Sequence, residues 1–228
     1  MVGLGRRIAP EEMPSPSFFQ HAGLFVLPNF LDPKLLRDIR VAMTVAPGEK
    51  ALIERQGGSA CVDETVRKTA SIMVAEEIGA ELKRRLLELG PELEQHFAVQ
   101  LGGCEFPVFL TYGPNDFFTP HADGSDVSAT SDETRRRRVS VVVFLNRESS
   151  QPEAGAYGCG ELRFYGLLEG PHWDKCAFSL RTEPGLLVAF PSGMVHEVTP
   201  VSHGRRMTAV TWFYATKQEK SEAAAPQT

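Results

Sequence analysis

The second half of the chain alternates short apolar runs with polar punctuation, and this pattern predicts β-strands. From residue 99 onward, runs rich in β-branched and aromatic residues are separated by clusters of Gly, Pro, Asn and Ser. The runs are VFLTYG, RVSVVVFLN, GELRFYG, CAFSLRT, GLLVAFPSG, MVHEVTPV and RMTAVTWFYAT. Such a succession is typical of an antiparallel sandwich or barrel of the jelly-roll kind, so residues 99–216 are expected to form the core.

The first half of the chain carries apolar residues at helical spacing. A short apolar strand turns at Pro28-Asn29 and leads into a helix, for which Asp32 is the predicted N-cap and Pro33 the first helical residue. A longer helix in TASIMVAEEIGAELKRRLLELG is expected to end at Gly90-Pro91. The predicted fold class is therefore α+β and mainly β, with helical support at 32–97 packed outside the jelly roll.

The two ends of the chain differ from this core in composition. Residues 1–19 are rich in Pro, Ser, Gly and charge, and residues 217–228 are polar with Ala and Pro. Both are predicted to be mobile tails that flank a single domain at 20–216. A chain of 228 residues with 42% hydrophobic residues fits one soluble globular core. The formal net charge of -5 gives no general attraction to nucleic acid, so no nucleic-acid partner is expected.

Cysteine usage and the N-terminus bear on the compartment. The cysteines are scattered without a Cys-x-x-Cys pair, which favours reduced thiols over zinc ligands or a disulfide framework. The basic N-terminus has no apolar segment behind it, and no stretch has the length of a membrane span. A cytoplasmic location with no membrane partner is therefore expected.

Two His-x-Asp pairs are the first candidates for chemistry, His121 with Asp123 and His172 with Asp174. On a strand, a spacing of two points both side chains to the same face, as two ligands of one metal require. The spacing alone does not separate a metal site from a solvated loop, because such pairs often arise by chance. Further residues are needed to choose between the two pairs.

A third histidine and an arginine strengthen the first pair. His196 lies in one apolar run and Arg206 in the next, and we expect the two runs to form a hairpin. If Val201 faces Arg205, then Arg206 lies opposite Pro200, which shares a face with His196. A slip of one residue would give the role of Arg206 to Arg205. Two histidines and one carboxylate form the facial triad of non-haem Fe(II) oxygenases, and a nearby guanidinium would bind a carboxylate.

The whole arrangement resembles the 2-oxoglutarate-dependent Fe(II) dioxygenases, in particular their prolyl 4-hydroxylase-like branch. The His-x-Asp pair is followed after 73 residues by a histidine and ten residues later by an arginine. Other stretches similar to this branch are FVLPNFLD, TYGPNDFFTPHAD, RRVSVVVFLN, GCGELRFYG and PGLLVAFPSGMVHEVTPVSHGRR. The resemblance extends over roughly residues 22–214, and as a set these motifs are specific.

The resemblance implies three groups of site residues. Those that would bind iron are His121, Asp123 and His196. Those that would hold 2-oxoglutarate are Arg206, at its distal carboxylate, Tyr112 and Thr208. Those that would face the substrate are Arg137, Trp212 and Phe118. Trp212 fits a core aromatic equally well, and most of the run from Arg135 to Arg138 is interpreted as the solvated start of a strand.

Two positions depart from the family pattern, and one segment competes with the proposed site. Phe118 and Phe144 stand where members often carry tyrosines, and in some members the second of these hydrogen-bonds the distal carboxylate. Both departures weaken any inference about the substrate but leave the iron ligands intact.

His172-Trp173-Asp174 is interpreted as a loop, because only 22 residues separate Asp174 from His196, too few for the intervening strands.

The resemblance implies an enzyme that couples oxidative decarboxylation of 2-oxoglutarate to hydroxylation of a C–H bond. It would require Fe(II), 2-oxoglutarate and O₂, with a need for ascorbate left open. Asp123 favours hydroxylation over halogenation, because related halogenases lack this carboxylate. The polar stretch 124–136 is long for a connection in a compact domain, and we expect it to order over the substrate as a lid.

The residues leave the substrate open. A prolyl residue in a protein or peptide is the first candidate, and a free amino acid or small metabolite is the alternative within the same chemistry. A non-catalytic, cupin-like metal-binding or sensory module is the alternative from another class, and Arg206 argues against it because such a module needs no cationic anchor. A zinc hydrolase is disfavoured because the ligands lack the acid–base context of an H-E-x-x-H motif.

Overall fold

A computed structural model of the chain describes residues 19, 21–54, 60–124, 132–167, 177–180 and 182–216. The helices are α1 (Pro33–Val45), α2 (Glu76–Glu88), α3 (Gly90–Phe97) and α4 (Asp132–Arg136). The strands of the first half are β1 (Phe25–Leu27), β2 (Gly48–Lys50), β3 (Ile53–Glu54), β4 (Ala60–Cys61), β5 (Arg67–Lys68) and β6 (Ala70–Ile72). Those of the second half are β7 (Leu101–Cys104), β8 (Val108–Tyr112), β9 (Phe117–His121), β10 (Arg137–Phe144), β11 (Tyr157–Cys159), β12 (Leu162–Tyr165), β13 (Ala177–Ser179), β14 (Leu187–Pro191), β15 (His196–Val198), β16 (Val201–Gly204) and β17 (Arg206–Ala215).

Helix α1 begins where the sequence predicts. The Asp32 side chain accepts the backbone N–H groups of Lys34 at 2.9 Å and Leu35 at 3.0 Å, and Pro33 occupies the first turn. The second carboxylate oxygen of Asp32 pairs with Arg85 of α2 at 2.6 Å. The cap therefore also ties the first two helices together.

The predicted turn and helix break are also present. Asn29 adopts a left-handed φ of 55° in the Pro28-Asn29 turn. Helix α2 ends at Glu88 and α3 begins at Gly90, because Pro91 has no N–H to continue the preceding helix. No helix in the described part of the chain is long and apolar enough to cross a membrane.

The strands form a large and a small antiparallel sheet. The large sheet has the order β1-β14-β10-β17-β8-β6-β2, with β7 beside β17. The small sheet has the order β13-β12-β15-β9-β5, and two-stranded ladders join β11 to β16 and β3 to β4. All the strand pairs are antiparallel. This is the mainly β architecture that the second half of the sequence predicts.

Alternation along the central strands divides the interior into two cores. On β10, Val139, Val141 and Val143 pack with the helices, whereas Val142 and Phe144 pack with residues of the small sheet. The same alternation operates on β14 and β17. One core lies between the large sheet and the helices, and the other lies between the two sheets. The second core, which we call the inter-sheet core, is the one that carries the site.

The predicted hairpin between the runs around His196 and Arg206 is wrong. Strand β15 pairs with β9 and β12 in the small sheet, whereas β17 pairs with β7, β8 and β10 in the large sheet. Between them, β16 pairs with β11, so the chain crosses from one sheet to the other instead of folding back. Val201 therefore does not face Arg205. The pairing of β15 and β17 is therefore determined by strands that are distant from them in the sequence.

Several strands are not predicted by the sequence pattern. Strands β2 to β6 lie within the 32–97 segment expected to give helical support, and β7 and β11 are likewise unexpected. Each of these seven has four residues or fewer, too short for period-two alternation to stand out from loop composition. Of the predicted tails, 1–19 and 217–228, residues 1–18 and 217–228 lie outside the described residues, whereas Phe19 is buried in the inter-sheet core, so the tail prediction is wrong for that residue. Residues 125–131 of the predicted lid and the His172-Trp173-Asp174 segment also lie outside the described residues.

Candidate metal centre

The three predicted iron ligands meet at one point between the sheets. His121 ends β9 and His196 begins β15, and the two residues are directly paired across these strands. Asp123 follows two residues after His121, with its carboxylate oxygens 3.6 Å from Nε2 of His121 and 3.5 Å from Nε2 of His196. One ligand atom from each residue lies within 4.8 Å of the others. This geometry can accommodate one metal ion.

Backbone carbonyls orient both imidazole rings. Nδ1 of His121 lies 2.8 Å from the carbonyl oxygen of Thr119, and Nδ1 of His196 lies 3.0 Å from that of Met194. A carbonyl can only accept, so each Nδ1 carries the proton and donates it. Each Nε2 is then a free lone pair directed toward Asp123, which is the tautomer that a metal ligand requires.

The protonation states also suit a divalent cation. Burial lowers the pKa of His196 to about 4, against a smaller opposing effect of the Asp123 charge, so its ring is neutral at physiological pH. Burial alone would raise the pKa of Asp123, but His196, His121 and the Trp212 indole outweigh it and hold that pKa well below its usual range. The cluster therefore presents an ionised carboxylate beside neutral imidazole, the donor set of the facial triad.

The end of strand β14 fixes the backbone of Asp123. The carbonyl oxygen of Ser192 accepts the N–H groups of Asp123 and Gly124, each at 2.9 Å. A Cβ at Gly124 would lie 3.1 Å from Cβ of Arg137 and 3.2 Å from Cβ of Ser192. The glycine thus permits the close approach that places the carboxylate ligand.

Aromatic side chains enclose the two histidines. The ring of Phe118 stacks on His121 with centroids 3.4 Å apart, and Phe190 meets His196 edge-on at 4.7 Å. The guanidinium of Arg67 covers the Phe118 ring at 4.7 Å. The structure thus places Phe118 directly against a metal ligand.

The predicted substrate-facing residues Arg137 and Trp212 lie side by side next to the metal cluster. The guanidinium carbon of Arg137 is 3.8 Å from the centroid of the Trp212 ring, whose indole is close enough to Asp123 to lower the pKa of that carboxyl. Arg137 also donates two hydrogen bonds to Glu105, from Nε at 2.6 Å and Nη2 at 2.8 Å. Its guanidinium is therefore engaged within the protein. Glu105 has no local signal in the sequence, because its partner lies 32 residues away.

Arg206 is a buried cation at the start of β17. Its residue is 1% exposed, and its guanidinium carbon lies 5.2 Å from the ring centroids of both Tyr112 and Phe144. Nη1 donates to Thr208 Oγ1 at 3.4 Å, while Nε and Nη2 have no hydrogen-bond partner among the described residues. Leaving N–H groups of a buried cation unbonded is costly, so the site is suited to an anionic ligand such as a carboxylate.

The metal cluster and Arg206 share one interior. His196 contacts Phe164 and Phe190, Arg206 contacts Tyr112 and Phe144, and all four aromatic residues belong to the inter-sheet core. The alternation of β17 directs Arg206, Thr208 and Trp212 to this side. Arg205 is exposed, so the one-residue slip considered from the sequence does not occur.

Comparison with known families agrees with this geometry. The model of the 2OG-Fe(II) oxygenase superfamily matches residues 107–214, which contain the three metal ligands and Arg206. A PKHD-type hydroxylase of Shewanella oneidensis is 30% identical over 116 residues, which cover 51% of this chain and 46% of that protein. Another, from Xanthomonas axonopodis pv. citri, is 28% identical over 193 residues, covering 83% and 77%. The chain thus spans about half the length of the first of these curated relatives.

Solved structures share the fold. A prolyl-4-hydroxylase of Pseudomonas putida superposes with a TM-score of 0.62 at 25% identity, covering 88% of this chain and 100% of that one. A prolyl hydroxylase of Trichoplax adhaerens, solved with a peptide fragment of hypoxia inducible factor, gives a TM-score of 0.58 at 14% identity, covering 90% and 96%. These likenesses confirm the predicted jelly-roll class. Over residues 107–214 the chain is similar to the 2OG-Fe(II) oxygenase superfamily, and its fold resembles that of prolyl 4-hydroxylases.

Proposed function

We propose that this protein is a non-haem Fe(II) hydroxylase that couples oxidative decarboxylation of 2-oxoglutarate to hydroxylation of a C–H bond. The observation that carries the proposal is a His-Asp-His cluster that shares one buried interior with an arginine whose Nε and Nη2 are unbonded. The cluster fits a metal that keeps open positions. The arginine fits the distal carboxylate of the cosubstrate.

Each residue has a distinct role in the proposed mechanism. His121 and His196 would bind iron through Nε2, and Asp123 through its carboxylate. When bound, Fe(II) supplies the redox chemistry by which O₂ reacts with 2-oxoglutarate. Arg206 fixes the direction in which the cosubstrate enters, and the aromatic walls of the inter-sheet core exclude water from the reacting atoms. Because Asp123 occupies the carboxylate position, hydroxylation is favoured over halogenation.

We further propose a prolyl residue of a protein or peptide as the substrate. Two of the similar structures are prolyl hydroxylases, and one of these was solved with a peptide. In this protein, an open groove of about 170 Å³ lies beside β5, whose Arg67 covers Phe118 next to the metal ligand His121. Charged side chains line it, including Lys68 and Asp116. Such a lining can bind polar groups of a peptide.

Anaerobic addition of Fe(II) and 2-oxoglutarate tests the proposed chemistry. We expect the visible charge-transfer band of the chelate in the wild type. Arg206→Ala should weaken 2-oxoglutarate binding by about 30-fold or more while iron stays bound, because it removes the partner of a buried carboxylate. Arg205→Ala, at the exposed neighbouring position, is the matched control and should bind normally. A wild type that binds iron but gives no band would instead support the cupin-like metal-binding module.

A separate assay addresses the substrate. Peptides and free amino acids should be incubated with the reconstituted protein and examined by mass spectrometry for the gain of one oxygen atom. Oxidation of a prolyl peptide and not of free proline would support the proposal. Oxidation of free amino acids alone would overturn the peptide assignment while leaving the chemistry in place.

A further inference from the structure

On the side formed by β10, the surroundings of Arg206 offer no hydroxyl group. Phe144 lies at the end of that strand, fully buried, with its ring centroid 5.2 Å from the guanidinium carbon of Arg206. A phenyl ring offers a cation a favourable face but donates no hydrogen bond to an anion. A carboxylate held there by Arg206 would take its neutral donors from residues other than Phe144.

A buried tyrosine is a neighbour of the same arginine. Tyr157 is on β11 and is 1% exposed. A Cβ at Gly160, which has a φ of +66°, would lie 3.1 Å from Cδ of Arg206 and 3.6 Å from Cδ2 of Tyr157. The two side chains therefore pack around one glycine, which leaves them the space to approach each other.

The hydroxyl of Tyr157 is part of a buried pair. Its oxygen lies 2.7 Å from Oγ1 of Thr182, which is 3% exposed, and either oxygen can be the donor in this bond. Burial raises the pKa of Tyr157, with a smaller opposing effect of the Arg206 charge, so the phenol keeps its proton at physiological pH. If Thr182 donates to the phenol oxygen, the phenol O–H is left to donate elsewhere.

Arg206 and Tyr157 both present hydrogen-bond donors, so a ligand bound beside them must supply acceptors. A guanidinium carries only donors, and a phenol that receives a hydrogen bond from Thr182 keeps its own O–H to donate. A carboxylate has two oxygens and accepts several bonds, so it can satisfy the arginine and the phenol together. No described residue supplies a hydrogen-bond acceptor to Nε or Nη2 of Arg206.

We propose that Tyr157 donates its hydroxyl hydrogen to the distal carboxylate of 2-oxoglutarate and replaces the donor that Phe144 lacks. Thr182 is then a positioning residue, which donates to the phenol oxygen and fixes the direction of the O–H bond. This inference rests on the proposed function and extends it. It assigns the uncharged hydrogen-bond donor to the distal carboxylate to a residue of β11, beside the charged donor Arg206. Cosubstrate selection would depend on this hydroxyl as well as on the charge of Arg206.

The test compares two 2-oxo acids in the anaerobic Fe(II) titration. 2-Oxopentanoate has the same chain as 2-oxoglutarate but lacks the distal carboxylate. Tyr157→Phe should weaken 2-oxoglutarate binding on the order of tenfold, because a hydrogen bond to a charged group is lost. It should leave binding of 2-oxopentanoate unchanged. Thr182→Val should weaken 2-oxoglutarate binding in the same selective way but by a smaller factor.

Matched variants separate this role from a structural one. Tyr165→Phe removes a phenol hydroxyl that bonds Glu197 at 2.7 Å in the small sheet, and it should bind both acids like the wild type. Equal 2-oxoglutarate affinity in wild type and Tyr157→Phe would overturn the inference and leave the proposed function standing. Equal weakening of both acids would also overturn it, by showing only a disturbed fold. A wild type that forms no chelate would overturn both.

Discussion

One amide side chain holds the backbone on both sides of Arg206. Asn146 is buried, and its Nδ2 donates to the carbonyl oxygen of Arg205 at 2.8 Å and to that of Gly155 at 3.1 Å. Its Oδ1 accepts the N–H of Met207 at 2.9 Å. The direction of the arginine side chain is therefore set by a residue that does not touch it. The same amide anchors the segment that leads into β11.

Replacing this amide by a carboxylate tests that role. Asn146→Asp keeps the acceptor for Met207 but removes both donors and places a negative charge beside two carbonyl oxygens. We expect the free energy of unfolding in urea to fall by about 1–3 kcal/mol, and 2-oxoglutarate binding to weaken. Asn115→Asp, an exposed position in a turn, is the control and should change neither quantity. Unchanged stability of Asn146→Asp would show that the bonds to Arg205 and Gly155 contribute nothing.

At the scale of elements, face assignment could be predicted from the sequence and strand pairing could not. The even-numbered residues Arg206, Thr208 and Trp212 point inward because alternation is a property of β17 alone. The predicted hairpin between the strands of His196 and Arg206 is wrong because β17 pairs with β7, β8 and β10, which come from other parts of the chain. Arg206 lies on the predicted face because the structure keeps this alternation, although β17 has different neighbours from those expected. Tyr157 was missed for the converse reason, since only the pairing of β11 brings it near Arg206.

Side chains from β10, β17 and the residue after β7 form a series of contacts that ends at Asp123. Glu105, just after β7, is fixed through its own backbone, which donates to Trp212 O at 2.9 Å and accepts from Thr211 Oγ1 at 2.8 Å. Its carboxylate holds Arg137 of β10, which stacks on Trp212 of β17. The Trp212 indole in turn lowers the pKa of the metal ligand Asp123. The contacts from Glu105 through Arg137 and Trp212 to Asp123, which we call the brace, thus link the end of β7 to the metal site. The side chains of Glu105, Arg137 and Trp212 do not themselves bind the metal.

Glu105→Gln weakens this brace with little change in shape. The charge that holds Arg137 is lost, so Trp212 should lose its fixed position beside Asp123. Mn(II) affinity, measured by electron paramagnetic resonance of the free ion, should fall by about tenfold, as is usual for residues that support metal ligands. Glu153→Gln, which breaks an exposed ion pair with Arg147, is the control and should leave the affinity unchanged. Equal Mn(II) affinity in both variants would show that the brace has no influence on the metal.

At the scale of the whole molecule, the metal site joins the two sheets. His121 and His196 belong to the small sheet, whereas the backbone of Asp123 is bonded to Ser192 at the end of β14 in the large sheet. A metal ion bound to all three side chains therefore connects the two faces of the inter-sheet core. Unfolding either sheet would break the coordination.

Metal binding should therefore stabilise the entire domain. With Mn(II) at one hundred times its dissociation constant, mass action predicts about 2.7 kcal/mol of added unfolding free energy, because the unfolded chain has no assembled site. Urea unfolding with Mn(II) and with EDTA measures this difference. Asp123→Ala should lose most of the gain, since the ligand fixed to the large sheet is gone, whereas His21→Ala, outside the cluster, should keep it. If Asp123→Ala gained as much from Mn(II) as the wild type, the ion would be binding elsewhere and the two sheets would not be joined through it.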